Sequence, residues 1–563
     1  MFKRFTAYCL FILALVLITF SIHTYHKTIS YATPINLPNN SQYWLNIILV
    51  PLDSRPPCTQ FVEQLAQLAR IKLTLPPPEL LDNYNTPAQK QALRNWLHEE
   101  SKNADAAIIS ADMLIHGSLL ASRLSSGTAN DVTEVLNLLT AIHQETPQLK
   151  LYVFTIIPRL TIADSQENTG FQKNMIQYSV LEDQFYTFEN PLDLNKLVKL
   201  EEQIPPKIIT RYKNLYERNT QLDLTLIDMT TQGILSGLVI GQDDGQPFGL
   251  PNINKQRIQN YVSQKTALAN KVFITRGTDE VALTMLGHII MQAINQHPHV
   301  FVAYSDAEAP QVIMPYMPHT VAKTVQEKIE LINGLQVATP DEADFILYVH
   351  IGTKKNKNTT LLPAAKQVTD LLNQGYKVAL VDLAEDFYAS ETLLPTLLHQ
   401  DINISKLIAY AGWNTTSNSI GTAVTQAAIF TKFLQNSTEM PIVLQLYKLN
   451  LEFLTARFLD DWYYQKDVQP YINNRLKEKK VDPYNLASHY QQVNTSIRNI
   501  MRNKAQHLLQ ESLYNRPLTI NTAHGSQVIV ITALHIDTYL PWQRTFEIWL
   551  QPQISLATID NPL

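Results

Sequence analysis

The sequence predicts an α/β protein built on mostly parallel sheet with alternating helices. Its short apolar runs are rich in Val, Ile, Leu and Tyr with almost no polar alternation, which is typical of strands covered by helices on both faces. These runs alternate with amphipathic helical segments, an order that favours parallel pairing. The 563 residues, 45% apolar and 17% charged, provide enough chain for a large core.

Ten apolar runs are predicted to be strands. They are Leu45–Leu52, Ile71–Leu75, Ala106–Ile109, Leu149–Ile157, Ile234–Ile240, Val272–Thr275, Val300–Tyr304, Phe345–His350, Val378–Val381 and Leu407–Tyr410. Ten strands are too many for a simple barrel. They fit either a TIM-barrel-like body with extra units or two doubly wound sheets in tandem. The barrel is slightly favoured for the first part, because polar residues collect after successive strands.

Helical patterns separate the strands and divide the chain into segments. They include Asp131–Gln144, Lys255–Ala269, Glu280–Gln296, Val321–Ile332 and Ala364–Gln374. We therefore expect an α/β domain over residues 45–418 with a charged helical insertion near 161–219. A helical segment over 419–514 and a small β-rich piece over 515–563 follow it.

The N-terminus has the pattern of an export signal. Lys3 and Arg4 precede an apolar run over residues 7–22, as in the charged and apolar regions of a signal peptide. The run is short for a membrane-spanning helix, so residues 1–32 are predicted to be either a cleaved signal peptide or an N-terminal membrane anchor. Both alternatives place the remaining chain outside the cytoplasm.

Composition excludes several classes of protein. The net charge of −5 excludes a broadly basic nucleic-acid surface. The two cysteines, Cys9 and Cys58, exclude a disulfide framework and a cysteine-based zinc site. Phosphate-loop, dinucleotide, zinc-protease and serine-hydrolase motifs are absent from the sequence. We predict no cofactor and name no metal ligand. A divalent cation remains an alternative, because a carboxylate-rich rim suits such an ion.

Polar residues follow successive predicted strands, where parallel α/β folds form their sites. A carboxylate there is often only a helix N-cap, but carboxylates and arginines at this many strand ends exceed what capping requires. They suit a carbohydrate or small polar ligand, and Trp413 with Asn414 adds an aromatic face and an amide. The predicted binding residues are Asp53, Arg55, Asp112, Arg123, Arg276, Asp279, Glu280, Asp306, Asp382, Trp413 and Asn414.

The adjacent pair Asp243-Asp244 is the candidate catalytic feature. Neighbouring residues of a strand point to opposite faces, so both carboxyls serve one site only beyond the strand end, a geometry that Gly245 allows. Two neighbouring carboxyls disfavour double ionisation, so one holds a proton while the other stays charged. A glycosidase needs such a pair, one group to protonate the leaving oxygen and one to stabilise positive charge.

Several of these blocks together resemble a bacterial family called domain of unknown function 4127. The shared blocks are Pro51–Pro56, Ser110–Leu114, Ala121–Arg123, Gly241–Asp244, Gly277–Glu280, Ala409–Thr415, Gly421–Thr422, Asp460–Trp462 and Pro541–Glu547. His116 stands where an aromatic residue is expected and Ser118 where a second glycine is usual. The resemblance implies no established activity. It suggests that Trp542–Arg544 folds back to help close the site.

Taken together, the residues favour an exported glycoside hydrolase acting on a cell-envelope or environmental glycan, with Asp243 and Asp244 as the catalytic pair. Two alternatives remain open. One is a non-catalytic, envelope-anchored receptor for a glycan or small ligand, and the other is a metal-dependent hydrolase of phosphate or amide bonds.

Overall fold

The protein contains two parallel sheets and one antiparallel sheet. The computed structural model describes residues 32–35, 43–124, 126–161, 170–265, 268, 270–353, 357–387, 389–412 and 414–559. The strands are β1 Ala32–Pro34, β2 Leu45–Val50, β3 Ile71–Thr74, β4 Ala106–Ser110, β5 Lys150–Ile157, β6 Gly237–Gln242, β7 Val272–Arg276, β8 His299–Tyr304, β9 Leu335–Gln336, β10 Phe345–Gly352, β11 Val378–Ala384, β12 Ala409–Ala411, β13 Leu518–Thr522, β14 Gly525–Tyr539 and β15 Trp549–Ile559.

Helices cover both parallel sheets and form the C-terminal segment. The α-helices are Gln60–Leu68, Lys90–Glu100, Ala111–His116, Leu119–Arg123, Ala129–Glu145, Gln172–Phe188, Pro191–Glu201, Pro206–Thr231, Leu250–Ser263, Val281–Ala293, Val321–Leu331, Lys357–Asn373, Leu394–His399, Thr416–Gln435, Met440–Arg457, Gln469–Glu478 and Tyr490–Leu508. Phe458–Val468 and Leu509–Leu513 form π-helical segments. The helical C-terminal segment is therefore confirmed. Gln172–Phe188, Pro191–Glu201 and Pro206–Thr231 are the helices that lie in and beyond the predicted insertion near 161–219.

The two parallel sheets share one strand order. The first is β3-β2-β4-β5-β6-β7 and the second is β9-β8-β10-β11-β12. In each sheet the second strand of the chain lies outside the first, and the third lies on the first strand's other side. The chain therefore reverses its winding direction between β2 and β4, and again between β8 and β10. Such switch points are where doubly wound sheets place their ligands.

The barrel expected for the first part is wrong, and the tandem arrangement is the one the chain adopts. In the described part of the chain, β3 and β7 are the two open edges of the first sheet and do not pair with each other. Carboxylates collected after successive strands as expected for a barrel, but an open parallel sheet also brings all its strand ends to one edge. The strand-end pattern therefore could not separate the two folds.

Alternating strand residues explain why the strands are apolar throughout. Ile47 and Leu49 of β2 face a core shared with the helix Val281–Ala293, whereas Ile48 and Val50 face a second core on the opposite side of the sheet. Side chains alternate between the faces of a strand, so a strand between two cores needs apolar residues at every position.

The C-terminal piece is an antiparallel sheet of order β1-β15-β14-β13. It confirms the predicted β-rich end and recruits the short N-terminal strand β1, whose Ala32 pairs with Ile559. The leader over residues 1–31, including the apolar run, lies outside the described residues. Among the described helices, none is both long and apolar enough to cross a membrane.

Candidate functional site

The centre of the candidate site is Arg55, which joins two strand ends. Its Nη2 lies 2.6 Å from Asp53 Oδ2, after β2, and 2.7 Å from Asp279 Oδ1, after β7. Its Nε donates to both carboxylate oxygens of Asp53 at 3.0 Å. Asp53 and Asp279 are only 1% and 6% exposed. The structure thus brings together three predicted residues, and these carboxylates bind a guanidinium instead of capping helices.

Asn414 completes this group from the second sheet. Its Nδ2 donates to Asp279 Oδ2 at 3.0 Å, so the carboxyl ends of β2, β7 and β12 meet at one place. Asn414 has φ of 82°, a left-handed conformation that asparagine tolerates better than most residues. Burial acts to raise the pKa of Asp279, but Arg55 and Asn414 lower it by more. The pKa of Asp279 therefore lies below its ordinary value. The neighbouring Trp413 lies outside the described residues.

The pair Asp243-Asp244 follows β6 and is held in two different environments. Arg123 binds Asp243 Oδ2 through Nη2 at 2.6 Å and through Nε at 2.8 Å, so a guanidinium faces this carboxyl. Burial and the charge of Asp243 raise the pKa of Asp244 to about 7. Near neutral pH Asp244 is therefore partly protonated, whereas Asp243 is bound by a guanidinium. That the two carboxyls form a catalytic pair stays a prediction.

Other charges in the site also shift the pKa of Asp244. Arg123 and Arg159 lower its pKa, whereas Asp279 raises it. The backbone carbonyl of Asp244 accepts a hydrogen bond from Leu160 N at 2.9 Å, which fixes the loop after β6 against the loop after β5. The acid pair and the Arg55 group therefore belong to one cluster of charges.

Asp112 lies at the same sheet edge and faces a larger cavity. Its Oδ2 accepts a hydrogen bond from Ile156 N at 2.9 Å, and burial raises its pKa to about 7. The charge of Asp243 adds to this rise, so the two carboxyls are electrostatically linked. The cavity beside Asp112 measures about 380 Å³ and is also lined by His116, Ser122 and Arg218.

A second, much tighter pocket lies against Asp279 and Asn414. It offers only about 20 Å³, room for roughly one water molecule. Arg457 and Asp461 line its far side. Asp461 accepts hydrogen bonds from Gly412 N at 2.9 Å and from Arg457 Nη1 at 2.7 Å. A sugar ring does not fit this pocket in the conformation described.

The remaining predicted residues have other contacts. Arg276 pairs with Glu327, and Glu280 lies 2.5 Å from Lys328 Nζ, although Glu280 also lines the tight pocket. Asp306 accepts hydrogen bonds from the backbone of the residues just after it. Asp382 is fully buried and accepts from the backbone at the start of the helix Leu394–His399. The ligand-binding role of these four residues stays a prediction.

The C-terminal piece reaches the site, as the family resemblance suggested. Trp542 Nε1 donates to Ser54 Oγ at 3.0 Å, and the Arg55 guanidinium lies 5.9 Å from the Trp542 ring centre. Ser54 N in turn donates to Asp82 Oδ1 at 2.8 Å. Burial and the nearby Asp53 raise the pKa of Asp82 to about 8. The end of the chain thus packs on the Asp53–Arg55 segment.

Sequence reasoning missed four polar residues near the site, namely Asp82, Arg159, Arg457 and Asp461. Asp82 and Arg457 carry no local motif, because what places them is contact with residues distant in the chain. Arg159 lies two residues after the end of β5, and Asp461 lies within a shared family block, so both signals were present in the sequence. Among the described residues, no three His, Cys, Asp or Glu side chains are grouped to hold a metal ion.

Comparison with known proteins identifies the family but not an activity. No curated protein matches the chain. One solved structure, the carboxyl transferase domain from Rhizobium etli pyruvate carboxylase, aligns with 93% of this chain and 89% of its own, at 10% identity and a TM-score of 0.14. That score is too low to support any structural argument. A family model described as a protein of unknown function (DUF4127) matches residues 47–551. The chain therefore belongs to the DUF4127 family.

Proposed function

We propose that the protein is a glycoside hydrolase in which Asp244 protonates the leaving glycosidic oxygen. The observation that carries this proposal is the asymmetry of the acid pair. Two nitrogens of the Arg123 guanidinium bind Asp243, while the pKa of Asp244 is raised to about 7. A glycosidase divides its two carboxyls in this way.

Asp243 acts as an electrostatic stabiliser in this proposal. Two hydrogen bonds from Arg123 engage one of its oxygens, and Asp244 N donates to the other at 2.8 Å. A carboxylate held so firmly is a weak nucleophile, but it still offsets the positive charge that develops on the sugar ring. Once the leaving group has taken its proton, Asp244 is a carboxylate. It then acts as the base that takes a proton from the attacking water.

The cavity beside Asp112 is the proposed sugar pocket. Its volume of about 380 Å³ falls within the range of ligand pockets, and Asp112 and Ser122 supply polar groups for hydroxyls. The leader pattern over residues 1–32 supports an extracytoplasmic glycan as the substrate. The proposal therefore rests on the acid pair, this cavity and the leader pattern. The link between the first two is Asp112, which lines the cavity and whose pKa the charge of Asp243 raises.

The test is turnover of a panel of fluorogenic aryl glycosides, followed by Asp244→Asn and Asp243→Asn. We expect each variant to lose at least a hundredfold in kcat, and wild-type activity to fall as pH rises through about 7 because Asp244 loses its proton. The control is Asp537→Asn, an aspartate whose side chain is 57% exposed on the C-terminal sheet. Full activity in Asp244→Asn would overturn the assigned role.

A receptor without chemistry is the second candidate, and the Arg55 group favours it. Asp53 and Asp279 are both occupied by Arg55, so part of the carboxylate rim maintains structure. If the protein is a receptor, calorimetry should detect glycan binding and the glycan should remain intact. There is then no turnover for Asp244→Asn to lower. The proposed hydrolase is wrong if glycans bind but none of the panel is cleaved.

A further inference from the structure

A group of basic side chains lies directly behind the loop that carries the acid pair. It consists of Lys255, Arg276, His319 and Lys323, which come from the helix Leu250–Ser263, the end of β7, the loop after β8 and the start of the helix Val321–Leu331. We call these four residues the basic cluster. The proposed hydrolysis uses none of them.

Contacts place the basic cluster against the candidate site. Lys255 Nζ donates to Gln242 Oε1 at 3.1 Å, and Gln242 directly precedes Asp243. Gly245 N donates to Tyr316 O at 3.0 Å, so the loop that carries His319 is docked on the loop of the acid pair. The cluster and the acid pair therefore share the carboxyl edge of β6 and β7.

Positive charge in this region exceeds the negative charge that faces it. The charges of Arg276, Lys323 and Lys328 lower the pKa of Lys255, whereas the charge of Glu327 raises it. Burial and then the charges of Arg276, Lys255 and Lys323 lower the pKa of His319. Glu327 pairs with Arg276, and Glu280 pairs with Lys328. Glu280 and Glu327 thus face four cations when Lys255 is protonated, namely Lys255, Arg276, Lys328 and the exposed Lys323. Among the described residues the buried Lys255 is left without a paired carboxylate, and unpaired buried charge is costly.

The inner part of the cluster is buried and has a donor without a partner. Arg276 is 2% exposed and Lys255 is 3% exposed. Arg276 Nε has no hydrogen-bond partner among the described residues. His319 and Lys323 are exposed, so the cluster runs from the surface down to buried donors. A buried guanidinium nitrogen without a partner, together with a buried lysine and two exposed basic side chains, is a donor set suited to an anion.

We propose that the basic cluster binds an oxyanion, either a free inorganic one or the acidic group of a larger ligand. The bound anion offsets the charge excess and accepts hydrogen bonds from the buried donors. Its position behind the Asp243-Asp244 loop allows an acidic substituent to be held close to the candidate acid. The proposal does not depend on hydrolysis, because binding is measured without turnover.

Burial, helped by the charge of Arg276, lowers the pKa of Lys255 to about 7, which gives the site a pH signature. An anion binds more tightly when Lys255 is protonated, so its affinity falls as pH rises above about 7. Sulfate is the suitable probe because its own charge is constant over this range. We expect its affinity to fall at least tenfold between pH 6.0 and 8.5.

The experiment is calorimetric titration of the full-length protein with sulfate, and separately with phosphate and glucuronate. We expect Lys255→Met and Lys323→Ala each to weaken sulfate binding at least fivefold at pH 6.0. Lys477→Ala, at an exposed lysine of the C-terminal segment, should bind as the wild type does. The exposed Lys323 variant keeps the test valid if Lys255→Met fails to fold.

Tighter binding of glucuronate than of sulfate supports an acidic sugar as the natural occupant. The reverse order supports a free inorganic anion. The proposal is overturned if the wild type binds none of the three anions at 10 mM, or if Lys323→Ala and Lys477→Ala weaken binding equally.

Discussion

Replacing Arg55 with methionine tests the charge group at the centre of the site. The substitution keeps much of the side-chain length but removes every hydrogen bond that the side chain of residue 55 donates to Asp53 and Asp279. Both carboxylates then remain buried, at 1% and 6% exposure, next to each other's charge. Removing one partner of a buried ion pair costs about 3–5 kcal/mol because the remaining charge is left uncompensated.

That range, and not a sum over bonds, is the appropriate magnitude. Arg55 donates to Asp53 at 2.6–3.0 Å and to Asp279 at 2.7–3.3 Å, and about 2 kcal/mol for each bond would exceed the range. The bonds act as one unit, however, so their contributions do not add. We expect Arg55→Met to lower the free energy of unfolding at pH 7 by about 3–5 kcal/mol.

The assay is urea unfolding followed by circular dichroism at several pH values. The lowered pKa of Asp279 adds stability above its unfolded pKa of about 4, and this contribution is lost as pH falls through the folded value. Without Arg55, burial raises the pKa of Asp279 in the folded variant. Protonation of Asp279 then removes a buried charge and stabilises the variant. The difference between wild type and variant should therefore shrink as pH falls towards 4.

A matched control separates this effect from the loss of any arginine. Arg257 pairs with Glu217 at 2.8 Å, but the two side chains are 41% and 49% exposed, so Arg257→Met should cost less than about 1 kcal/mol. If Arg55→Met costs no more than this control at pH 7, or if its cost does not change with pH, Arg55 does not stabilise the fold by compensating Asp53 and Asp279.

Three further predictions concern the closing piece, the second sheet and the acid pair. Trp542→Phe keeps an aromatic ring but loses the bond to Ser54 Oγ, so thermal unfolding should show a loss of about 1 kcal/mol. Gly352→Ala should abolish stable folding, visible as rapid proteolysis, because its Cβ would lie 1.7 Å from Glu391 O. Asp244→Asn should unfold at higher urea than the wild type at pH 8. The raised pKa of Asp244 removes stability as pH rises from about 4 to about 7, so this gain should disappear near pH 4.

The positions of the strand-end carboxylates could be predicted because they depend on chain order. Asp53, Asp112, Asp243 and Asp279 each follow an apolar run, and the parallel pattern of those runs brings their ends to one edge. The pairing partners could not be predicted in the same way. Arg55 binds Asp279 across 224 positions of the chain, and no local pattern encodes such a contact.

Asp306 and Asp382 show the limit of the strand-end argument. Both follow a predicted strand, as Asp53 does, although Asp382 lies within β11 in the structure. Their carboxylates accept hydrogen bonds from backbone N–H groups. A carboxylate at a strand end can bind a ligand, pair with a distant cation or hold a loop. The neighbours that decide between these roles arrive only when the second sheet and the C-terminal piece pack.

The sequence by itself determined the α/β class, the order of strands and helices, the family and the acid pair, because periodicity and short motifs are local properties. Only the tertiary structure decided between a barrel and two open sheets, since edge pairing is not written in any single strand. It also brought the ends of β2, β7 and β12 together around Arg55. The opposite surroundings of Asp243 and Asp244, and the excess of buried positive charge behind them, likewise arise from residues distant in the chain.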